Sequence, residues 1–304
     1  MNTPFIVSGE LLALGTALCW TITSIMFSEA GRRVGSLNLN LIRLLIALGF
    51  FTLFQAVTGG ELIPFSAPQR IWATMGISGL IGFVLGDLFL FQAFILIGPR
   101  LSMLVYSSVP VITLVLGWFF LGETLGAGQG WGVALTLGGI LMVIALRNRS
   151  PSTGSGETTL REFVVGVLCA FLGSIGQAGG LIVGRFGAGT EYSAFAATQI
   201  RVIAGIIGFL VVFILTRRWR QLWGALHNAK AYPFIVAGSF FGPFLGVSLG
   251  LWAAQRTQTG IAATLMAIVP VLIVIPSILI YKEKINLAEI IGTGITLWGV
   301  SFLL

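Results

Sequence analysis

The sequence predicts an all-α integral membrane protein of ten transmembrane helices, disposed as two inverted five-helix repeats. Three observations lead there. Charged residues make up 9% of the chain and apolar residues 56%, with a mean hydropathy of +1.00. Soluble proteins carry about 25% charged residues, and no soluble surface can be assembled from this composition. Apolar runs long enough to cross a hydrocarbon core of about 30 Å, roughly 20 residues each, recur along the whole chain. The second half also repeats the first. A shift of 160 positions, from 110 to 270, lays Val109, Pro110 and Val111 on Val269, Pro270 and Val271. The same shift lays Glu123 on Glu283, Gly132 on Gly292, and Thr136, Leu137 and Gly139 on Thr296, Leu297 and Gly299. A proline, a glutamate and a glycine kept in one order across two apolar segments mark a duplication rather than shared composition.

In chain order the spans are placed at Gly9 to Phe27, Ser36 to Val57, Arg70 to Ile95, Leu101 to Leu121 and Gly130 to Leu146. The second set runs Glu162 to Gly184, Tyr192 to Leu215, Tyr232 to Ala254, Ile261 to Tyr281 and Leu287 to Leu304. Gly98-Pro99 supplies the break between the third and fourth. The first repeat occupies residues 1–146 and the second 162–304. Residues 147–161, with a Ser-Pro-Ser-Thr-Gly-Ser-Gly run, read as the tether, and the two repeats form one integrated unit. Met1 to Ser8 has no basic residue ahead of the apolar run, so no cleaved leader is expected. The duplication extends upstream: Arg43 in Asn40-Leu41-Ile42-Arg43 matches Arg201 in Gln199-Ile200-Arg201, and Gly82 and Gly86 fall on Gly242 and Gly246.

Five spans per repeat force the second copy to enter the membrane upside down. The pseudo-two-fold axis then lies in the membrane plane, an arrangement typical of secondary transporters. Loop charges agree with an alternating thread. Links after odd-numbered spans hold Arg32, Arg33, Arg100, Arg147, Arg149, Arg161, Arg217, Arg218, Arg220, Lys230, Lys282 and Lys284, whereas links after even-numbered spans hold Arg70, Arg185 and Arg256. The positive-inside rule puts the first group in the cytoplasm and both termini outside, on the periplasmic side of a bacterial inner membrane. The net charge of +7 and pI near 10.1 reflect this loop asymmetry, so no nucleic-acid partner is implied.

Other chemistries lack their residues. His227 is the sole histidine, no G-x-S-x-G, H-E-x-x-H or Walker pattern occurs, and Cys19 and Cys169 lie inside spans with no metal-ligand spacing. The chain is therefore expected not to be an enzyme and to need no cofactor and no metal. A channel would more naturally repeat a filter sequence or a charged ring.

The ordered set of features resembles the drug/metabolite transporter superfamily, and specifically its EamA-type exporters. These features are two five-helix repeats, an Arg near the start of the second and seventh spans, a Pro in the fourth and ninth, and Leu121-Gly122-Glu123 before a Gly-rich span. Within it the chain most resembles the YddG-like exporters of aromatic and other neutral amino acids. The resemblance implies export of small metabolites by alternating access through a central cavity lined by spans one, three, four, six, eight and nine, with one chain sufficient for function. Members are often drawn with cytoplasmic termini; the loop charges of this chain oppose that. Drug or other metabolite export by proton antiport is the alternative.

Candidate site residues follow. Asp87 is an acid well inside a span and needs a partner, for which Arg43 is suited; Val247 stands where the second repeat would place the matching acid, leaving Arg201 to backbone carbonyls, the interface or a solute carboxylate. A proton-coupling role for Asp87 and a structural pair are both open. An apolar pocket with a few hydrogen-bonding groups suits a neutral solute, and Trp20, Thr23, Phe89, Gln92, Tyr106, Gln177, Trp252 and Thr264 are the pathway candidates. Pro110 and Pro270 are expected to bend their helices. The ladder Gly238, Gly242, Gly246 and Gly250 permits close helix approach, with Gly242 and Gly246 as hinge candidates. Glu10 is expected at the interface, and Glu123 and Glu283 as caps of the fifth and tenth helices.

Overall fold

The structure, a computed structural model, describes residues 8–121, 127–146, 159–257, 259–281 and 286–302, and every regular element among them is helical. Seven of the described helices are long and apolar enough to cross a membrane, and Gly130–Leu146 and Leu287–Ser301 are shorter apolar helices. Helix α1 (Gly9–Val34) starts where the Ser8 hydroxyl accepts from the amide of Leu11 at 3.3 Å and stops at Gly35, whose φ of 81° only glycine adopts freely. It runs about two turns beyond the expected end at Phe27, because Arg32 and Arg33 suit a helix C-terminus and Glu29 pairs with Arg33. Helix α2 (Ser36–Thr58) follows directly.

The next stretch is continuous from Gln69 to Tyr106 and comprises α3 (Gln69–Gly79), a π-helical turn π1 (Leu80–Gly86) and α4 (Asp87–Tyr106). Inside α4 the helix is broken by a kink at Gly98, φ 79°, ahead of Pro99, so the predicted third and fourth spans join with almost no loop. Helices α5 (Val109–Leu121) and α6 (Ala127–Leu146) complete the first half. The second contains α7 (Leu160–Ala188), α8 (Ala194–Thr216), α9 (Trp219–Leu226), α10 (Tyr232–Ser239), π2 (Phe240–Gly246), α11 (Val247–Arg256), α12 (Thr259–Met266), α13 (Val269–Leu272), α14 (Val274–Tyr281) and α15 (Leu287–Ser301). The short α9 was not foreseen; it lies in the arginine-rich link with Leu222 and Ala225 buried and Trp219 and Trp223 exposed. Glu123, Glu283 and the tether from 147 to 158 lie outside the described residues.

Two irregularities recur at the repeat spacing. The π-helical turns begin at 80 and 240, and helix breaks fall at 107–108 and 267–268. Each break precedes Val-Pro-Val, so Pro110 and Pro270 sit in the first turn of a new helix, where a missing N–H is harmless. A bend was expected at both prolines; the helix is interrupted instead, because proline has no N–H for the carbonyl four residues earlier and its ring crowds that carbonyl, while Val109 and Val269 ahead of the prolines stay helical.

Small residues set the packing. A Cβ at Gly238 would strike Phe27, at Gly242 Thr23, at Gly246 Trp20, and at Gly250 would touch Met266 and Thr16, so α1 runs along the glycine ladder of α10–π2–α11. On the other side Gly86 lies against Gly176 and Gly82 against Gly180, packing π1 on α7. Helices α6 and α15 interlock reciprocally. Gly139 meets Gly292 and Thr296, while Gly299 meets Gly132 and Thr136, so residue numbers rise along one helix as they fall along the other. The links also sort by end. Arg33 donates to the Lys230 carbonyl at 2.9 Å, Asn286 to the Leu146 carbonyl at 3.2 Å, and Arg100 pairs with Glu289. The other end ties Thr257 to Glu10 at 2.8 Å, Gln255 to the Tyr192 carbonyl at 2.9 Å and Gln199 to the Leu62 carbonyl at 2.7 Å.

Candidate functional site

Two adjoining cavities lie between the halves, both partly open to solvent, with about 460 and about 370 Å³ of empty space. They share Trp20, Met103, Tyr106 and Gln177, which form a waist between them. Four helical stripes build the walls. Trp20, Thr23, Ser24 and Phe27 come from α1; Asp87, Leu90, Phe91 and Phe94 from α4; Met103, Tyr106, Ser107 and Pro110 from the arm after Gly98; Ala263, Met266, Ala267 and Pro270 from α12 and α13. Each set has the spacing i, i+3, i+4, i+7, one face of a helix, with the last two continuing that spacing across a helix break. Gln177 and Leu181 of α7, Gly242 and Pro243 of π2, and Val247 of α11 close the remaining sides.

At the waist Trp20 and Tyr106 meet edge to face, 6.2 Å between centroids at 77°. Pro110 and Pro270 have no N–H to offer the carbonyls of Tyr106 and Met266 four residues earlier, and both of those residues line the smaller cavity. In the larger one, Arg43 reaches in from α2 and its Nη2 donates to Asp87 Oδ2 at 2.6 Å. Its Nε donates to Asn40 Oδ1 at 3.1 Å, and Asn40 in turn donates to the Asp87 carbonyl at 3.3 Å. The rings of Phe91, Phe83 and Phe27 surround the guanidinium at 4.5, 5.5 and 5.6 Å. The Thr23 hydroxyl, on the same wall, has no hydrogen-bond partner among the described residues.

The sequence candidates divide accordingly. Trp20, Thr23, Tyr106, Gln177, Asp87, Arg43, Pro110, Pro270 and Gly242 line the cavities. Phe89 does not: two residues from Asp87 it points away, into a cluster with Leu96, Phe163 and Val167. Gln92, five residues from Asp87, accepts from the Ser36 hydroxyl at 2.7 Å and joins α4 to α2. Trp252 packs beside Leu251 with Arg256 over its ring at 5.4 Å, and Thr264 is one residue off the α12 stripe. Gly246 backs Trp20 rather than facing the space. Glu10, expected at the interface, is held by Thr257. Arg201 neither snorkels nor lines the wall; it is 2% exposed, 5.2 Å over Phe83, and its Nε has no partner among the described residues. Phe83, Phe91, Phe94, Met103 and Met266 were missed. The i±4 and i+7 spacing from Asp87 would have found the three phenylalanines.

The chain matches the EamA-like transporter family twice, over residues 7–145 and 164–304. A solved crystal structure of a protein is similar over 97% of this chain and 94% of its own, with a TM-score of 0.64 at 18% identity, a likeness that shows the fold. No curated protein matches the sequence. The chain belongs to the EamA-like transporter family, membrane proteins that carry small molecules rather than catalyse reactions.

Proposed function

We propose that the chain is a secondary carrier of neutral amino acids, aromatic ones first, as in YddG-like exporters, working by alternating access across a bacterial cytoplasmic membrane. The observation that carries this is the convergence of four helical stripes on a largely apolar space with a single waist of Trp20, Tyr106, Met103 and Gln177. Concave, mostly apolar spaces with a few convergent polar groups are the ordinary form of small-molecule sites. The thread is ten spans in two inverted repeats, residues 1–146 and 162–304 joined by 147–161, with both termini outside. The antiparallel, reciprocal packing of Gly139 and Gly299 supports inversion, since matching helices that cross antiparallel are related by a two-fold axis perpendicular to them. One chain encloses the cavity, which supports a functional monomer. The paired breaks at 107–108 and 267–268 supply hinges at matching depth on opposite walls, and rocking there would open the waist to either side.

Proton antiport of drugs or other metabolites is the second reading, favoured by the position of Asp87 on the cavity wall. Uptake of labelled phenylalanine and leucine into liposomes holding only this protein separates the two. Saturable uptake indifferent to an imposed pH gradient is expected. Uptake that requires the gradient, or none of either amino acid, would transfer the assignment to the second reading.

A further inference from the structure

Asp87 is the only acid among the described residues lining either cavity, yet two buried arginines depend on it. Arg43 holds it at 2.6 Å. Arg201, the repeat mate of Arg43, lies within electrostatic range of the same carboxylate, with its Nε unpartnered among the described residues. The Phe83 ring stands 5.5 Å from one guanidinium and 5.2 Å from the other, and forms part of the cavity wall. Guanidinium does not deprotonate in proteins, so the group retains one positive charge in excess. Such a charge in a low-dielectric interior calls for an anion. The duplicated half supplies none: Val247, which matches Asp87, is also on the wall.

We propose that the missing anion is the carboxylate of the solute, so that the cavity takes zwitterionic amino acids and simple carboxylic acids and rejects amines, with Arg201 as the residue that sets this preference. The inference rests on the carrier reading above and narrows its substrate class. The excess charge resides in Arg43 on the wall and Arg201 off it, across the shared Phe83 ring; a carboxylate entering beside Val247 balances it, and the apolar body of the solute is left to Phe27, Phe91 and Phe94. Attraction between charges buried in the protein interior is screened less than at an open surface.

The test is competition against labelled phenylalanine uptake in proteoliposomes, using phenylpropionate, which lacks the amine, and phenethylamine, which lacks the carboxylate. In the unmodified protein phenylpropionate should compete and phenethylamine should not. Arg201→Lys should keep that order. Arg201→Gln should weaken phenylpropionate by about tenfold or more, the size expected when a charged partner is lost. Val247→Asp leaves Arg201 in place and puts a fixed carboxylate where the solute's is assigned; it should likewise lose phenylpropionate and admit phenethylamine. Equal competition by both probes in the unmodified protein, or an unchanged order in both Arg201→Gln and Val247→Asp, would overturn the assignment while leaving amino-acid transport standing. If no phenylalanine enters at all, the carrier's proposed substrate is wrong, and the charge preference is then read from thermal stabilisation of purified protein: by phenylpropionate if the assignment holds, equally by both probes if it fails.

Discussion

Gly139 rests directly on Thr296, and 160 positions later Gly299 rests on Thr136, the matching residue of the other half. Each glycine lets the facing backbone approach to a distance that a side chain would forbid. Gly138, one residue away, has nothing within 4 Å of a Cβ position. Gly139→Leu should therefore lower the stability of purified protein by about 1–3 kcal/mol or more, as overpacking does, while Gly138→Leu leaves it unchanged. Paired thermal melts in one detergent check this; equal melting of the two variants would contradict the interlock.

The ion pair of the larger cavity predicts an asymmetry. Asp87→Asn leaves Arg43 and Arg201 both without a carboxylate, and removing one partner of a buried pair costs about 3–5 kcal/mol. Arg43→Met leaves Asp87 facing Arg201, which can take it. Thermal unfolding should find Asp87→Asn the more damaged of the two, and the opposite order would show that Arg201 does not feel Asp87.

Two glutamines separate pathway from packing. Gln177 is at the waist, whereas the amide oxygen of Gln92 is committed to the Ser36 hydroxyl. Gln177→Leu is expected to raise the apparent KM for amino-acid uptake about tenfold with the melting temperature kept. Gln92→Leu is expected to do the reverse, costing about 1–3 kcal/mol of stability through the stranded hydroxyl while KM stays unchanged.

Much of the fold was legible because lipid enforces long apolar helices and because a duplicated sequence announces its period. The breaks were visible only as prolines, and sequence alone made them bends; that the helix stops before Val109 and Val269 depends on how far the turn facing each proline's missing N–H can relax, which no local pattern encodes. The π-helical turns share Gly82, Leu85 and Gly86 with Gly242, Leu245 and Gly246, but glycines four apart suit an α-helix equally well, and the proline of π2 has no counterpart at Phe83 in π1, so the wider turn was not legible. For the site, residue type misled where helical phase would have served. Phe89, Gln92, Trp252 and Thr264 are chemically apt but lie off the faces that Asp87, Val247 and Met266 define, and matching positions in the two halves did not ensure matching exposure. The pairing of Asp87 with Arg43 was readable because a carboxylate at that depth needs a cation. The isolation of Arg201 was readable as a missing acid at Val247, though its burial behind Phe83 was not.

The proposed hinges make a kinetic prediction. Pro110→Ala with Pro270→Ala restores an N–H at each break and favours continuous helices. Counterflow should slow by about tenfold with the solute's half-saturation value preserved, because the substitutions act on the exchange between states rather than on contacts. A changed half-saturation with unchanged rate would place the prolines in binding instead.

The most direct test of the cavity as the solute site uses one cysteine. In a protein carrying Cys19→Ala and Cys169→Ala, Met103→Cys places a thiol at the waist shared by both cavities. Its rate of maleimide labelling in proteoliposomes is then measured with and without phenylalanine. Saturable protection, at the concentrations that saturate uptake, is the predicted result. Labelling that phenylalanine leaves untouched while uptake proceeds would put the pathway elsewhere.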